Sequence, residues 1–276
     1  MQRIGRDAGA RPASTRGIDF ESIAAALDEH GYALVRGMLP RALVDEVGAY
    51  LAGEVAHATA ALRRDLGLRP ADDLVEAIEA AVAGGGADLP KQIRDVAIGH
   101  FPLEVRLSER LWPIASALRP LVAALLRAGR VAVHLPPAAR FVLPRNLRAG
   151  VPPHQDFRYN THLPHFLTVW VPFVDVDEQC GGVIVYDGPR HDDLRVPPPD
   201  GPWLGGVGTD GFTPHRVELS RGDVLVLDDR VVHGSAPNAS DRVRISADYR
   251  FFDGMQRSLK HALDLESMAV VPPESA

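Results

Sequence analysis

Apolar positions along the chain fall into two textures that meet near residue 129. Ile18, Phe20, Ile23, Ala24 and Leu27 recur at mostly three- and four-residue spacings, the period of one helix face, and Gly31 stands where a helix-ending glycine would. A short strand is predicted over Tyr32 to Arg36. Leu39-Pro40 then opens a second helix through Leu43, Val44, Val47, Tyr50 and Leu51, with the proline where a first turn tolerates it. Helical periodicity continues to about Ala128, broken at Gly84-Gly85-Gly86 and resuming over Ile93 to Leu111 and Leu118 to Leu126.

After Gly129 the period shortens. Apolar and β-branched runs alternate with Pro, Gly, Asp and Asn turns, and strands are predicted at Val131–Leu135, Ala139–Leu143, Phe166–Val174, Val183–Tyr186, His215–Leu219, Asp223–Leu227, Val231–Gly234 and Arg242–Phe252. Strands with no helices between them pair antiparallel, because parallel neighbours need long crossovers. The fold expected is α+β with a mainly β core: a sandwich or barrel with the N-terminal helices packed on it. Residues 1–16 read as a loose, disordered tail and 17–276 as a single domain. Within it, 17–128 is the helical half, 129–255 the β-barrel core and 256–276 a C-terminal segment.

Composition narrows the partners. The 276 residues are 46% hydrophobic and 24% charged, enough to bury a substantial core. The net charge is −6, and no Lys/Arg block could follow a run of phosphates, so nucleic acid is not an expected partner. One cysteine, Cys180, excludes an internal disulfide and any zinc site built from several thiolates. It precedes a Gly-Gly turn with no base beside it and reads as structural. No apolar run has the length of a membrane span or a secretory signal core, which leaves a cytoplasmic protein as the expectation.

Candidate chemistry centres on histidine. In a strand, residues i and i+2 share a face, so His-x-Asp can present an imidazole and a carboxylate to one metal ion. Eleven histidines and 36 acidic residues in 276 supply about 1.4 such pairs (with Asp or Glu) by chance, and two occur, so spacing alone decides nothing. Context separates them: His154-Gln155-Asp156 lies in the β-rich half before Phe157-Arg158-Tyr159, whereas His191-Asp192-Asp193 sits in turn composition. A later segment, Gly222-Asp223 through Asn238, ends an apolar strand in a turn and re-enters at His233. His233 could complete a two-histidine, one-carboxylate set of iron(II) ligands. Beyond it, Arg242, Arg244 and Ser246 share a strand face, and either guanidinium could grip a carboxylate.

These segments, with Trp170-Val171-Pro172-Phe173-Val174-Asp175-Val176-Asp177-Glu178 and Gly181-Gly182, resemble the phytanoyl-CoA dioxygenase family over roughly residues 18 to 253. The resemblance implies a double-stranded β-helix (jelly-roll, cupin-like) barrel and an Fe(II)- and 2-oxoglutarate-dependent dioxygenase that consumes O2. It places iron on His154, Asp156 and His233, and the cosubstrate's far carboxylate on Arg244, eleven residues after the distal histidine, in preference to Arg242, with Ser246 beside it. Thr168 and Trp170 share a face that could border the cosubstrate. Candidate substrate contacts are Phe157, Arg158, Tyr159, His162, Arg190 and Trp203. Gln179-Cys180 and Asp187 to His191 depart from the family's Asn-Gly-Gly and Pro-Gly-Ser-His, a departure that bears on the substrate and not on the metal. Retention of Asp156 favours hydroxylation or another oxidation over halogenation. A small-molecule substrate follows, with tailoring of a natural product in secondary metabolism as its setting. Two rivals stand beside this reading: a cupin-like isomerase or epimerase that uses no 2-oxoglutarate, and a non-catalytic β-barrel binding module.

Overall fold

A computed structural model describes residues 2–4, 18–85, 89–163, 165–188, 206–256 and 258–274. After strand β1 (Gln2–Ile4), helix α1 (Phe20–His30) leads into β2 (Tyr32–Val35). Five helices follow: α2 (Arg41–Asp65), α3 (Leu74–Gly85), α4 (Lys91–Ala97), α5 (Leu103–Arg106) and α6 (Trp112–Leu126). The strands after them are β3 (Val131–His134), β4 (Ala138–Val142), β5 (Val151–His154), β6 (Leu167–Pro172) and β7 (Val183–Asp187). Next come β8 (Thr213–Val217), β9 (Val224–Asp228), β10 (His233–Ser235), β11 (Arg244–Asp253), β12 (Ala262–Asp264) and β13 (Val270–Val271).

Local signals account for the helices. Asp19 caps α1 by accepting from the backbone N–H groups of Glu21 and Ser22, and Gly31 ends it at φ 77°, a left-handed conformation open to glycine. Pro40 stands immediately before α2, whose Val44, Val47, Leu51, Val55 and Leu62 form the buried stripe that helical spacing requires.

The strands form two sheets. The larger runs β13-β12-β3-β11-β6-β9-β2, with β4 also paired to β11, and the smaller runs β1-β8-β7-β10-β5. All pairings are antiparallel except β1 with β8, which is parallel. Alternation sorts the side chains of the larger sheet. Leu167, Val169 and Val171 of β6, Val224 and Val226 of β9, and Ile245, Ala247, Tyr249 and Phe251 of β11 join the main core with the helices. Their alternating neighbours Trp170, Leu225 and Leu227 pack with Val183, Val185 and Val217 of the smaller sheet. Helices therefore cover one face of the larger sheet, and the smaller sheet covers the other.

Several expectations need correction. Of the sandwich and the barrel left open by the strand pattern, the described strands make two sheets and no closed barrel. Residues 2–4, expected in a disordered tail, form β1 beside β8; the rest of 1–16 lies outside the described residues. The helical half contributes β2 to the larger sheet, and the C-terminal segment contributes β12 and β13. Strand β5 goes unpredicted because its sequence, Val-Pro-Pro-His, reads as a breaker. Its prolines are tolerated because β5 is an edge strand, paired only to β10.

Candidate functional site

His154 ends β5 and His233 begins β10, and in the antiparallel ladder these two residues are direct partners. Their ring centroids lie 4.3 Å apart. Each ring is oriented the same way: Nδ1 of His154 lies 3.0 Å from the carbonyl oxygen of Pro152, and Nδ1 of His233 3.1 Å from that of Val231. A carbonyl can only accept, so Nδ1 is the donor in both rings, and Nε2 is the nitrogen each ring would offer to a metal. Burial, with His154 alongside, lowers the His233 pKa to about 4 and keeps that ring neutral at pH 7.

The strand ends before Asp156. A single 3-10 turn over Asp156–Tyr159 carries the carboxylate, so the pair does not share a strand face as its spacing suggests. The turn is pinned at several points: Asn160 Nδ2 donates to the Asp156 carbonyl at 2.8 Å, Phe157 N–H to the Asp229 carbonyl at 2.9 Å, and Gln155 Nε2 to the Arg230 carbonyl at 2.5 Å. The result brings ligand atoms of His154, Asp156 and His233 within 4.8 Å of one another. Two nitrogens and a carboxylate oxygen form a donor set suited to iron(II).

Asp156 is 3% exposed, and two side chains hold its carboxylate. Thr168 Oγ1 donates to Oδ2 at 2.6 Å and Arg250 Nη2 to Oδ1 at 3.1 Å. Thr168 and Arg250 are direct partners across β6 and β11, so one cross-strand pair grips both oxygens. Burial alone would raise the Asp156 pKa; the Arg250 guanidinium and the two histidines outweigh it and hold the group well below the usual carboxylate range.

A cavity of about 370 Å³ adjoins the three residues. Arg244, Asp248 and Arg250 line it from β11, Ala138 and Arg140 from β4, and Trp170 and Leu227 from β6 and β9. Arg244 is 2% exposed, and its Nε and Nη1 have no hydrogen-bond partner. Burial and then Arg140 lower its pKa to about 9. Geometry separates the two arginines that spacing leaves equivalent, because Arg242 is a surface residue paired with Asp177 at 2.6 Å.

The other predicted site residues scatter. Ser246 is buried and shares the strand face of Arg244, but it is not among the cavity-lining residues. Thr168 holds Asp156 and does not line the cavity. Phe157 packs against a small cluster containing Leu163, Phe166 and Phe252. Arg158 does not extend a strand past Asp156, since it sits in the 3-10 turn and away from the cavity. His162 packs at a tilt against His134, ring centroids 4.8 Å apart, and also lies off the cavity. Tyr159 does line it, with its ring edge-on to His154 at 5.8 Å. Arg190 and Trp203 lie outside the described residues. Arg140, Asn160, Asp248 and Arg250 line the cavity without having been predicted. For Asp248 and Arg250 a signal existed: Arg244, Ser246, Asp248 and Arg250 are polar at every second position of an otherwise apolar strand.

No helix among the described residues is long and apolar enough to cross a membrane. No curated protein matches the chain. Among solved structures, the fold is similar to ThoJ, described as a non-heme monooxygenase, at 19% identity and a TM-score of 0.56 over 92% of this chain and 89% of that one. It is also similar to EvdO2 of Micromonospora carbonacea var. aurantiaca complexed with 2-oxoglutarate, at 17% identity and 0.54 over 94% of both chains. SnoK, a non-heme α-ketoglutarate dependent carbocyclase from nogalamycin biosynthesis, aligns at 18% identity and 0.51 over 97% of both. The family model for phytanoyl-CoA dioxygenase matches residues 27–246, a span running from α1 through the metal-type triad to Ser246, and the chain belongs to that family.

Proposed function

We propose that this protein is an Fe(II)- and 2-oxoglutarate-dependent dioxygenase that hydroxylates a small molecule on a double-stranded β-helix scaffold. The observation that carries the reading is the meeting of His154, Asp156, His233 and Arg244, whose Nε and Nη1 have no partner among the described residues, around one cavity. The donor set fits ferrous iron: both histidines present Nε2, and the carboxylate is fixed and ionised. His154, Asp156 and His233 would hold the metal, and Arg244 would hold the far carboxylate of 2-oxoglutarate, with Ser246 off the cavity wall on the same strand face. When bound, the iron and its cosubstrate supply oxidation by O2, with succinate and carbon dioxide as coproducts.

The chain's own residues place and shelter that chemistry. Thr168 and Arg250 keep the Asp156 carboxylate oriented and deprotonated. Trp170, Leu227 and Val183 give the cavity dry walls, and a low-dielectric wall strengthens each charge contact inside it. Tyr159 and Asn160 stand on the cavity beside the metal-type triad; of the loop residues after Asp156, these two are the substrate contacts we favour. Natural products are the substrate class this reading favours.

The test uses anaerobically purified protein given Fe(II) and 2-oxoglutarate and then oxygen, with candidate natural products supplied in turn. A true substrate is expected to stimulate succinate release and yield a product about 16 Da heavier, the mass of one inserted oxygen, and His154→Ala is expected to abolish both. Turnover without succinate would move the protein to a cupin-like isomerase. Succinate release with an unchanged or lighter product would keep the cosubstrate and replace hydroxylation with another oxidative outcome.

A further inference from the structure

Resting on that reading, we propose that Arg140 joins Arg244 in receiving the far carboxylate of the cosubstrate. The cavity then ends in a two-guanidinium clamp that selects a 2-oxo dicarboxylate over a 2-oxo monocarboxylate.

The placement comes from strand register. Arg140 of β4 stands directly across from Ser246 of β11, and Arg244 is across from Val142. Directly opposed residues in an antiparallel pair project to the same side, and their diagonal neighbours lie about 7–8 Å apart, within reach of long side chains. Arg140 and Arg244 are such diagonal neighbours, and both line the cavity. Arg140 is itself fixed in place: its Nη2 donates to the carbonyls of Ile98 at 2.6 Å and Ala149 at 3.0 Å. Its Nε has no partner, and neither do Nε and Nη1 of Arg244.

Among the described residues the one cavity carboxylate that acts on both cations is Asp248, and it is shared with Arg250. The cavity has two carboxylates of its own. Asp156 is bonded to Arg250 and Thr168. Asp248 senses Arg250 more strongly than it does Arg140. His100, which forms an isolated bridge with Arg140 and shares the cavity wall, is held neutral by burial and by Arg140 itself. Burial and mutual repulsion both work against the charge on Arg244. A buried guanidinium facing a second, partly buried one across the same cavity is costly unless an anion sits between them. A carboxylate has two oxygens and about four lone-pair sites, enough to accept from both forks.

The experiment measures anaerobic binding to the Fe(II)-loaded protein through the visible absorption that develops when a 2-oxo acid chelates the metal. The probes are 2-oxoglutarate and 2-oxovalerate, which share the chelating end and differ in the far carboxylate. Arg140→Gln is expected to weaken 2-oxoglutarate about 10-fold, which corresponds to about 1.4 kcal/mol, and to leave 2-oxovalerate unchanged. Arg244→Gln should collapse the same ratio, and Arg140→Lys should retain part of it, because a lysine keeps the charge and loses the fork. An Arg140→Gln protein with the parent's ratio, whether both probes bind as before or both weaken equally, would reduce Arg140 to an anchor for Ile98 and Ala149 and overturn the assignment. A parent that forms no chelate with 2-oxoglutarate would overturn the proposed function and this clamp together.

Discussion

Asp156 shows how the site is built at the scale of single residues. A carboxylate 3% exposed would ordinarily resist ionisation, yet Arg250 at 3.1 Å and Thr168 at 2.6 Å keep it a fixed anion. Replacing Arg250 with methionine keeps much of the volume and removes the charge. The Arg250→Met protein is expected to bind Fe(II) about 10- to 100-fold more weakly, the usual cost of losing such a supporting contact. Equilibrium titration checks this, and an unchanged affinity would show that Asp156 needs no cationic partner. The supporting residues were harder to read from sequence than the ligands they support. His154, Asp156, His233 and Arg244 were legible because a short spacing and an ordered set of motifs mark them. Arg250 was marked only by the polar alternation of β11, and Arg140 by nothing local, because 28 of the 30 basic residues are arginine.

Elements were legible where the hydrophobic period was clean. Strand β11 alternates without a fault from Arg244 to Phe251, so one sequence supplies both the helix-facing core and the cavity's polar wall. Strand β5 was not legible, since Pro152-Pro153 conceals an edge strand whose only partner is β10. The 3-10 turn at Asp156 was equally hidden, because what bends the chain there is a set of long-range bonds to Asp229 and Arg230. Gly181, by contrast, has a readable physical reason. Its φ is +74°, and a Cβ there would lie 2.4 Å from the Pro237 carbonyl oxygen and 2.6 Å from that of Ala236. The β6–β7 connection can approach the segment after β10 only through a residue without a side chain. Gly181→Ala is expected to destabilise the fold by about 2 kcal/mol or more, measured by urea unfolding. A loss below about 0.5 kcal/mol would mean that the two segments separate freely.

At the scale of the whole molecule, helices close one face of the larger sheet, and the smaller sheet closes the other while leaving the cavity between the two sheets. That division explains why the metal-type residues come from distant parts of the chain. His154 and His233 belong to two strands of the smaller sheet, and Thr168 and Arg250, which hold Asp156, belong with Arg244 to the larger one. Strand count left a sandwich or a barrel open, because strand alternation specifies faces and is silent on whether the edges join, and the described strands form two sheets. The most direct test of the central claim is anaerobic titration of the protein with Fe(II) followed by 2-oxoglutarate. One ferrous ion per chain is predicted, followed by a visible chelate absorption, with both lost in His154→Ala and His233→Ala. Ferrous binding of equal strength in the parent and both variants would contradict it.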